Sequence, residues 1–445
     1  MNENVETAMS IIKIHWKEEQ EEKGEKEEEE EEEEEETQDA EKAKGQNRGW
    51  SLIWAGFSIN VLATVGVNSF GVLFSPRLLE LGSSPSLLSS VTSVSLGAGC
   101  VLCLFMAPLL HRWGCRRLVM PISLLYSVAF FLAALASSRL AAFAGAAMVA
   151  GSCGRIISAV VQVAVSRSYQ QMRPLAMGVT AVGISVSQVV GPPLLAFLMG
   201  HYNLRTTLLL TGVVMLHLCL AATLLPSDPA CDSSERLSYL VVLRRRGVLL
   251  LCLVIALFNA GLFVSWATIP LALFATGHSP HEVSLYLSVA GLANLVARVA
   301  TSLLQGRCSR PLFALKVASA MAAVAICVWH LVEHRVWKTA WLAVLGAGNG
   351  VVGNVSGLVT LEVVGLRRQA VVVSLASMFS GVAILLVGPV ADLAREVTGT
   401  YAGSMCLLSG LLLVSQLLSV CLPSARPRSR PPNTHKYHLL TRPSA

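Results

Sequence analysis

Twelve apolar runs, each long enough to cross a bilayer, occupy the chain from residue 50 to residue 422 and leave little else to build a fold from. They lie at 50–74, 87–110, 118–137, 141–164, 175–199, 206–225, 248–272, 283–304, 312–331, 338–361, 371–393 and 401–422. A hydrocarbon core of ~30 Å takes ~20 residues of α-helix, and backbone N–H and C=O groups must be paired inside it. Each run is therefore expected to be a membrane-spanning helix. With 53% of 445 residues hydrophobic and 14% charged, the composition departs from that of soluble domains in the same direction. The expected fold class is an all-α membrane protein of 12 transmembrane helices in two six-helix halves.

The charges are segregated. Residues 1–49 hold 19 of the 28 acidic residues and 7 of the 34 Lys/Arg, so this segment carries −12 and the remainder +18. It contains the unbroken run Glu27–Glu36, which repels itself and buries nothing, and it reads as a disordered acidic tail. The longest later polar interruption, 226–247, separates a six-helix half at 50–225 from a second at 248–422, and a basic, Pro-rich tail follows at 423–445. Alternate loops together with that last tail carry 18 Lys/Arg against 5 in the others, which places both termini in the cytoplasm by the positive-inside rule. The basic tail then faces anionic lipid headgroups. No early basic and apolar signal peptide fits, so the first span is expected to act as its own address. The sequon Asn354-Val-Ser356 falls inside a span, where glycosylation is not expected. The 11 cysteines sit mostly within the spans and read as buried free thiols.

Two arginines interrupt these runs: Arg155 in "GSCGRIISAV" and Arg298 in "LANLVARV", four residues after Asn294. Ionisable groups in mid-membrane are costly and mark functional sites. The nine Asp/Glu outside the acidic tail, Glu80, Asp228, Asp232, Glu235, Glu282, Glu333, Glu362, Asp392 and Glu396, all lie in loops or at span ends. A guanidinium stays charged and its planar fork fits a carboxylate, so a bound organic anion is a natural counter-charge for Arg298. For Arg155 the competing reading is a snorkelling or carbonyl-bonded side chain. Asn349 and Asn354 face either a central cavity or neighbouring helices. The string "GNGVVG", 348–353, matches a dinucleotide fingerprint, but no strand–helix–strand unit surrounds it; its glycines suit close helix packing.

Several motifs carry a resemblance. "APLLHRWGCRR", 107–117, resembles the loop between spans 2 and 3 of major facilitator carriers through Arg112, Gly114, Arg116 and Arg117, with His111 where that pattern has an acid. "SYQQMRPLAMGVTAVGISVSQVVGPPLL", 168–195, resembles a signature of the monocarboxylate transporter family through Arg173, Leu175, Ala176, Gly178 and Gly183. "NRGWSLIW" keeps Gly49 and Trp50 of that family's first signature, and "VGPVADLAREVTGTY" echoes its exit from span 11 through Gly388, Pro389, Glu396, Thr398, Gly399 and Tyr401. The resemblance covers residues 49–422. It implies halves that rock about a central site, with Arg298 holding substrate carboxylate and the loop residues acting as conformational latches. It also implies a proton-handling aspartate and a span 1 lysine, for which this chain has Asn294 and, by alignment of "NSFGVLF", Asn68.

The expected function is a plasma-membrane carrier moving a small organic monocarboxylate or carboxylate-bearing zwitterion by alternating access, facilitative or exchanging rather than strongly proton-coupled. The alternatives are a proton-linked symporter with a rearranged proton site and a non-transporting, receptor-like member. Substrate contacts are assigned to Arg298, Asn294, Asn68, Arg155, Asn349 and Asn354. The spans show no metal set, nucleophile–base pair or carboxylate pair, so neither an enzyme nor a cofactor is expected, and nucleic acid is no partner. The resemblance adds a single-span immunoglobulin-type chaperone as a candidate companion.

Overall fold

The computed structural model describes residues 50–83, 85–136, 138–169, 172–226, 239–243, 246–278, 280–305, 311–365 and 368–422. The acidic segment 1–49, most of the 226–247 connection and the 423–445 tail lie outside the described residues. The chain divides into a unit ending at Trp54 and a unit from Ala55 to Ala445, and the packing below is that of the second.

The spanning helices are α1 (Trp50–Asn68), α2 (Pro85–Leu102), α3 (Met106–Leu135), α4 (Leu140–Ser168), α5 (Arg173–His201), α6 (Leu204–Ala222), α7 (Arg246–Ala275), α8 (Pro280–Gln305), α9 (Pro311–Leu331), α10 (Arg335–Val364), α11 (Gln369–Thr398) and α12 (Tyr401–Val420). Among the described residues, 11 helical stretches are long and apolar enough to cross a membrane, one of them the 46-residue Ser90–Leu135. At 1.5 Å per residue that stretch would measure about 69 Å, more than two hydrocarbon thicknesses. It is two spans in one run. Gly114, at φ +76° and ψ 170°, breaks α3 with a backbone conformation open to glycine and strained for side chains with a Cβ. The apolar run 87–110 is thus α2, a 3-10 turn at Cys103–Phe105, and the first residues of α3. Twelve spans in two six-helix halves result, as the hydropathy pattern predicts.

Large apolar side chains such as Leu220, Leu331 and Val397 point outward, where lipid would meet them. Lipid gives no hydrophobic drive between helices, so small residues and backbone approach must do the joining. Two antiparallel seams connect α1–α6 to α7–α12: α2 along α11, and α5 along α8. In the first, a Cβ on Gly381 would come within 2.5 Å of the Gly97 carbonyl oxygen and 2.7 Å of the Val101 nitrogen, and one on Gly388 within 2.5 Å of Ser93 Oγ. In the second, Gly178 lies directly against the Ser302 hydroxyl. At the end of the bundle where the connection between halves runs, the Ser166 hydroxyl of α4 donates to Gln369 Oε1 of α11 at 2.6 Å. Nearby the Tyr239 hydroxyl, on a short helix (Tyr239–Leu243), donates to the Leu104 carbonyl at 2.5 Å. Burial pushes the Tyr239 pKa up to about 12, so it remains a donor at physiological pH.

Helix α10 carries its glycines in two frames four residues apart. Gly346 and Gly350 face the α8 backbone: a Cβ at Gly346 would collide with the Ala290 carbonyl, and one at Gly350 would lie 2.5 Å from the Asn294 carbonyl oxygen. Backbone cannot move aside as a side-chain tip can, so Gly346→Ala should destabilise the purified protein by on the order of 1–3 kcal/mol. Gly410→Ala, in open space on α12, is the control and should be neutral or stabilising. Thermal melting in detergent compares the two; equal melting temperatures would rule out the tight α8–α10 seam. The cysteines fall partly outside the expectation. All nine described ones are free, but Cys327 and Cys406, on apolar helices, and Cys421, just after α12, are exposed rather than packed inside.

Candidate functional site

Asn294 and Arg298 stand four residues apart on α8, hence on one face, and that face meets α5. Both are buried, at 1% and 5% exposure. Arg298 Nε donates to Asn294 Oδ1 at 3.0 Å, and Nη1 donates to the Ala181 carbonyl of α5 at 3.2 Å. Asn294 Oδ1 also accepts from the Ser185 hydroxyl at 2.8 Å, and Nδ2 donates to Gln188 Oε1 at 3.2 Å. Ala181, Ser185 and Gln188 follow i, i+4, i+7 spacing and so present one stripe of α5 to the pair. Every partner of the guanidinium is neutral. Among the described residues no carboxylate pairs with Arg298, although a buried charge without a counter-charge costs several kcal/mol.

The second glycine frame of α10 seats these side chains. A Cβ on Gly353 would come within 2.5 Å of Arg298 Nη2 and 3.0 Å of Cζ, so the flat guanidinium rests where only hydrogen leaves room. Gly357, one turn on, faces Gln162 of α4 and Met177 of α5. Gly353 also lines a cavity of about 60 Å³ with Asn259, Ser319, Asn349 and Ser356. That volume suits a few waters rather than an organic substrate. Asn349 thus faces a cavity between α7, α9 and α10, whereas Asn354 serves the helix contact. Asn354 Nδ2 donates to Ser302 Oγ at 3.0 Å and to the Arg298 carbonyl at 3.4 Å, and its Oδ1 has no hydrogen-bond partner among the described residues.

Asn68, at the end of α1, donates to the Ile184 carbonyl and Ser187 Oγ of α5 at 3.4 and 3.3 Å. It therefore adjoins the same helix as Arg298 but not Arg298 itself. Arg155 stands apart: its guanidinium lies over the Phe263 ring of α7, 4.9 Å from the centroid, and against the Cys100 thiol of α2. It reaches from α4 to the opposite set of helices, and no carboxylate pairs with it among the described residues. Among the described residues, Arg155 and Arg298 are not linked by shared hydrogen bonds.

The signature residues have separate local duties. Arg116 closes the loop after Gly114: its backbone N–H donates to the Pro226 carbonyl and its Nε to the Leu225 carbonyl, both at 3.1 Å. These carbonyls follow the C-terminus of α6, where a cation is favoured. Arg112 and Arg117 are exposed. Arg173 opens α5 with Nε on the Tyr169 carbonyl at 2.8 Å. Gly183 lets α5 approach the Phe57 carbonyl of α1. Beyond the Gly388 contact with α2, Pro389 and Glu396 are exposed, while Gly399, at φ +69°, ends α11 in the left-handed conformation. Arg395 Nη1 then donates to the Tyr401 hydroxyl at 3.2 Å.

Sequence reasoning missed the α5 partners Ser185 and Gln188, and also Asn60. Asn60 Nδ2 donates to the Thr180 carbonyl at 2.9 Å, and its Oδ1 accepts from Ser158 at 2.9 Å. The available signal was the pair Ser185 and Gln188, polar residues three apart and hence on one helix face within an apolar run. Cys100 and Cys103, a C-x-x-C pair on α2 and its 3-10 extension, were also passed over; both are buried free thiols.

A model of the Major Facilitator Superfamily matches residues 56–388. The chain is 25% identical to monocarboxylate transporter 13 of Bos taurus over 394 residues, covering 86% of this chain and 92% of that protein. It is 28% identical to monocarboxylate transporter 11 of Homo sapiens over 399 residues, covering 86% and 84%. Among solved structures, the Major Facilitator Superfamily transporter FucP in its outward conformation superposes with a TM-score of 0.65 at 12% identity, over 83% of this chain and 98% of that one. The human organic anion transporter MFSD10 gives 0.61 at 16% identity, over 84% and 99%; both likenesses concern the fold. The chain is a multi-pass membrane transporter that belongs to the Major Facilitator Superfamily and, within it, to the monocarboxylate transporter family.

Proposed function

We propose that this carrier moves a small organic monocarboxylate, or a zwitterion bearing a carboxylate, across the plasma membrane by alternating access, with Arg298 as the carboxylate anchor. The observation that carries the reading is a guanidinium in mid-membrane bonded only to neutral groups. A carboxylate arriving there supplies the counter-charge that no described side chain provides, in a bidentate geometry suited to the fork. Asn294 orients the guanidinium, and Asn68 extends the polar wall along α5. Arg155, Asn349 and Asn354, which share no hydrogen bond with the Arg298 guanidinium among the described residues, are assigned as secondary contacts. Arg112, Gly114, Arg116 and Arg117, with Arg173, Gly178, Gly183, Gly388, Pro389 and Glu396, act in closing and reopening the bundle. Both termini are assigned to the cytoplasm.

Asn294 and Asn68, with Ser185 and Gln188, hold no group that titrates between pH 5 and 8, which supports facilitated transport or exchange over strong proton coupling. The test is uptake of labelled pyruvate, lactate and a neutral amino acid into proteoliposomes at two external pH values. Saturable uptake with less than about twofold change across an imposed proton gradient is expected; strong acceleration by an inward gradient would establish the symporter instead. Binding without flux would establish a receptor-like member. Coexpression with a single-span immunoglobulin-type chaperone, scored by surface abundance, tests whether one is needed.

A further inference from the structure

Hydrogen-bond direction at the buried cluster is fixed by its only permanent cation. A guanidinium donates and never accepts, so the Asn294 carboxamide must turn its oxygen toward Arg298 Nε. Ser185 donates to the same oxygen. The Asn294 NH2 is thereby aimed away from Arg298 and finds Gln188 Oε1 at 3.2 Å. That contact fixes the second amide in turn: with Oε1 engaged, Gln188 must present its NH2 outward. Gln188 is half-buried in the middle of α5, seven residues from Ala181 and on the same stripe that meets Arg298. Its NH2 has no hydrogen-bond partner among the described residues. The relay therefore ends in two N–H donors that have no partner among the described residues, one amide beyond Asn294 from the anchor and oriented by it.

We propose that Gln188 is a specificity-determining residue: its Nε2 donates to a second acceptor oxygen on the cargo, so the carrier prefers carboxylates that also bear a hydroxyl, oxo or further carboxylate oxygen over plain alkyl carboxylates. This rests on the reading of Arg298 as carboxylate anchor. A site built to satisfy a substrate's polar group rejects analogues lacking it more strongly than an apolar wall distinguishes a methylene. Asn294 makes the selection independent of pH, because no member of the relay changes charge.

The experiment is competition and initial-rate uptake in proteoliposomes with lactate, pyruvate and propionate, for the full-length carrier and for Gln188→Met and Gln188→Glu. Methionine keeps length and apolar bulk but removes the donors. The KM for lactate and pyruvate should rise about tenfold relative to that for propionate, which should stay within about twofold. In Gln188→Glu the carboxylate still accepts from Asn294 but offers cargo a negative charge. Uptake should be weak at pH 7.5 and recover toward pH 5.5 as the glutamate protonates. An unchanged lactate-to-propionate KM ratio in Gln188→Met, or an equal loss for all three acids, would make Gln188 a packing residue and overturn the proposal. Failure of the original carrier to take up any carboxylate would overturn the anchor reading, and this inference with it.

Discussion

Replacing Arg298 with lysine should abolish most carboxylate uptake while leaving the carrier folded and in the membrane. The two cations are not equivalent here. Arginine uses Nε for Asn294 and Nη1 for the Ala181 carbonyl, and its Nη2 edge lies on Gly353. A lysine ammonium is a single point with three donors on a shorter reach, so it can keep charge near the site but cannot present a planar pair of donors while holding both neighbours. Losing a charge-assisted bidentate contact costs on the order of 3 kcal/mol, or about a hundredfold in uptake at low substrate. Arg298→Gln removes the counter-charge altogether and should lower uptake at least as far. Its melting temperature should not fall with it, because the uncompensated charge goes as well. Uptake of labelled lactate, normalised to surface abundance, checks both variants. Near-normal rates in Arg298→Lys would leave the arginine as a tie between α5 and α8 only.

How much of this was legible beforehand divides along physical lines. The twelve spans were readable because a bilayer imposes one length and one polarity on every crossing, and windows of about 20 residues show both. Only the α2–α3 junction blurred. There the apolar stretch Ser90–Leu135 runs through the turn, and Gly114, recognised as part of a loop motif, supplies the positive φ that breaks it. Arg298 stood out because charge in an apolar run is rare. Its partners did not, since Ser185 and Gln188 lie more than 100 residues away and only helix rotation brings them to α8. The same limit applied to the asparagines of α10. Asn349 and Asn354 are five residues apart, about 140° around a helix. One consequently meets the cavity lined by Ser319 and Ser356, and the other meets Ser302. Composition offers no way to tell those two faces apart. The glycines of α10 were identified as packing residues. That Gly353 seats a guanidinium while Gly346 seats a backbone depends on register against α8, which one sequence does not contain.

Asn294→Asp should convert a carrier with little pH dependence into one stimulated by acid. The aspartate retains the oxygen that accepts from Arg298 and Ser185, so the local geometry tolerates the change. Its second oxygen, however, replaces the N–H that donated to Gln188 Oε1, and two acceptors would meet until the Gln188 amide turns over. The larger effect is electrostatic. In its ionised form the introduced carboxylate would neutralise Arg298 and repel the cargo carboxylate; in its protonated form it would restore the cationic anchor. Substrate binding brings a second anion to the site, and two neighbouring carboxylates share a proton more readily than either holds one alone. By linkage, cargo then binds together with a proton. Initial rates at pH 5.5 should exceed those at pH 7.5 by at least about tenfold in the variant, against less than about twofold in the original carrier. The labelled acid should have a pKa below about 4, so that it is ionised at both values. Membrane potential must be clamped, because the cargo is charged. A variant with the original pH profile would show that position 294 does not share an electrostatic site with the cargo, and the absence of proton coupling would then need a cause elsewhere in the bundle.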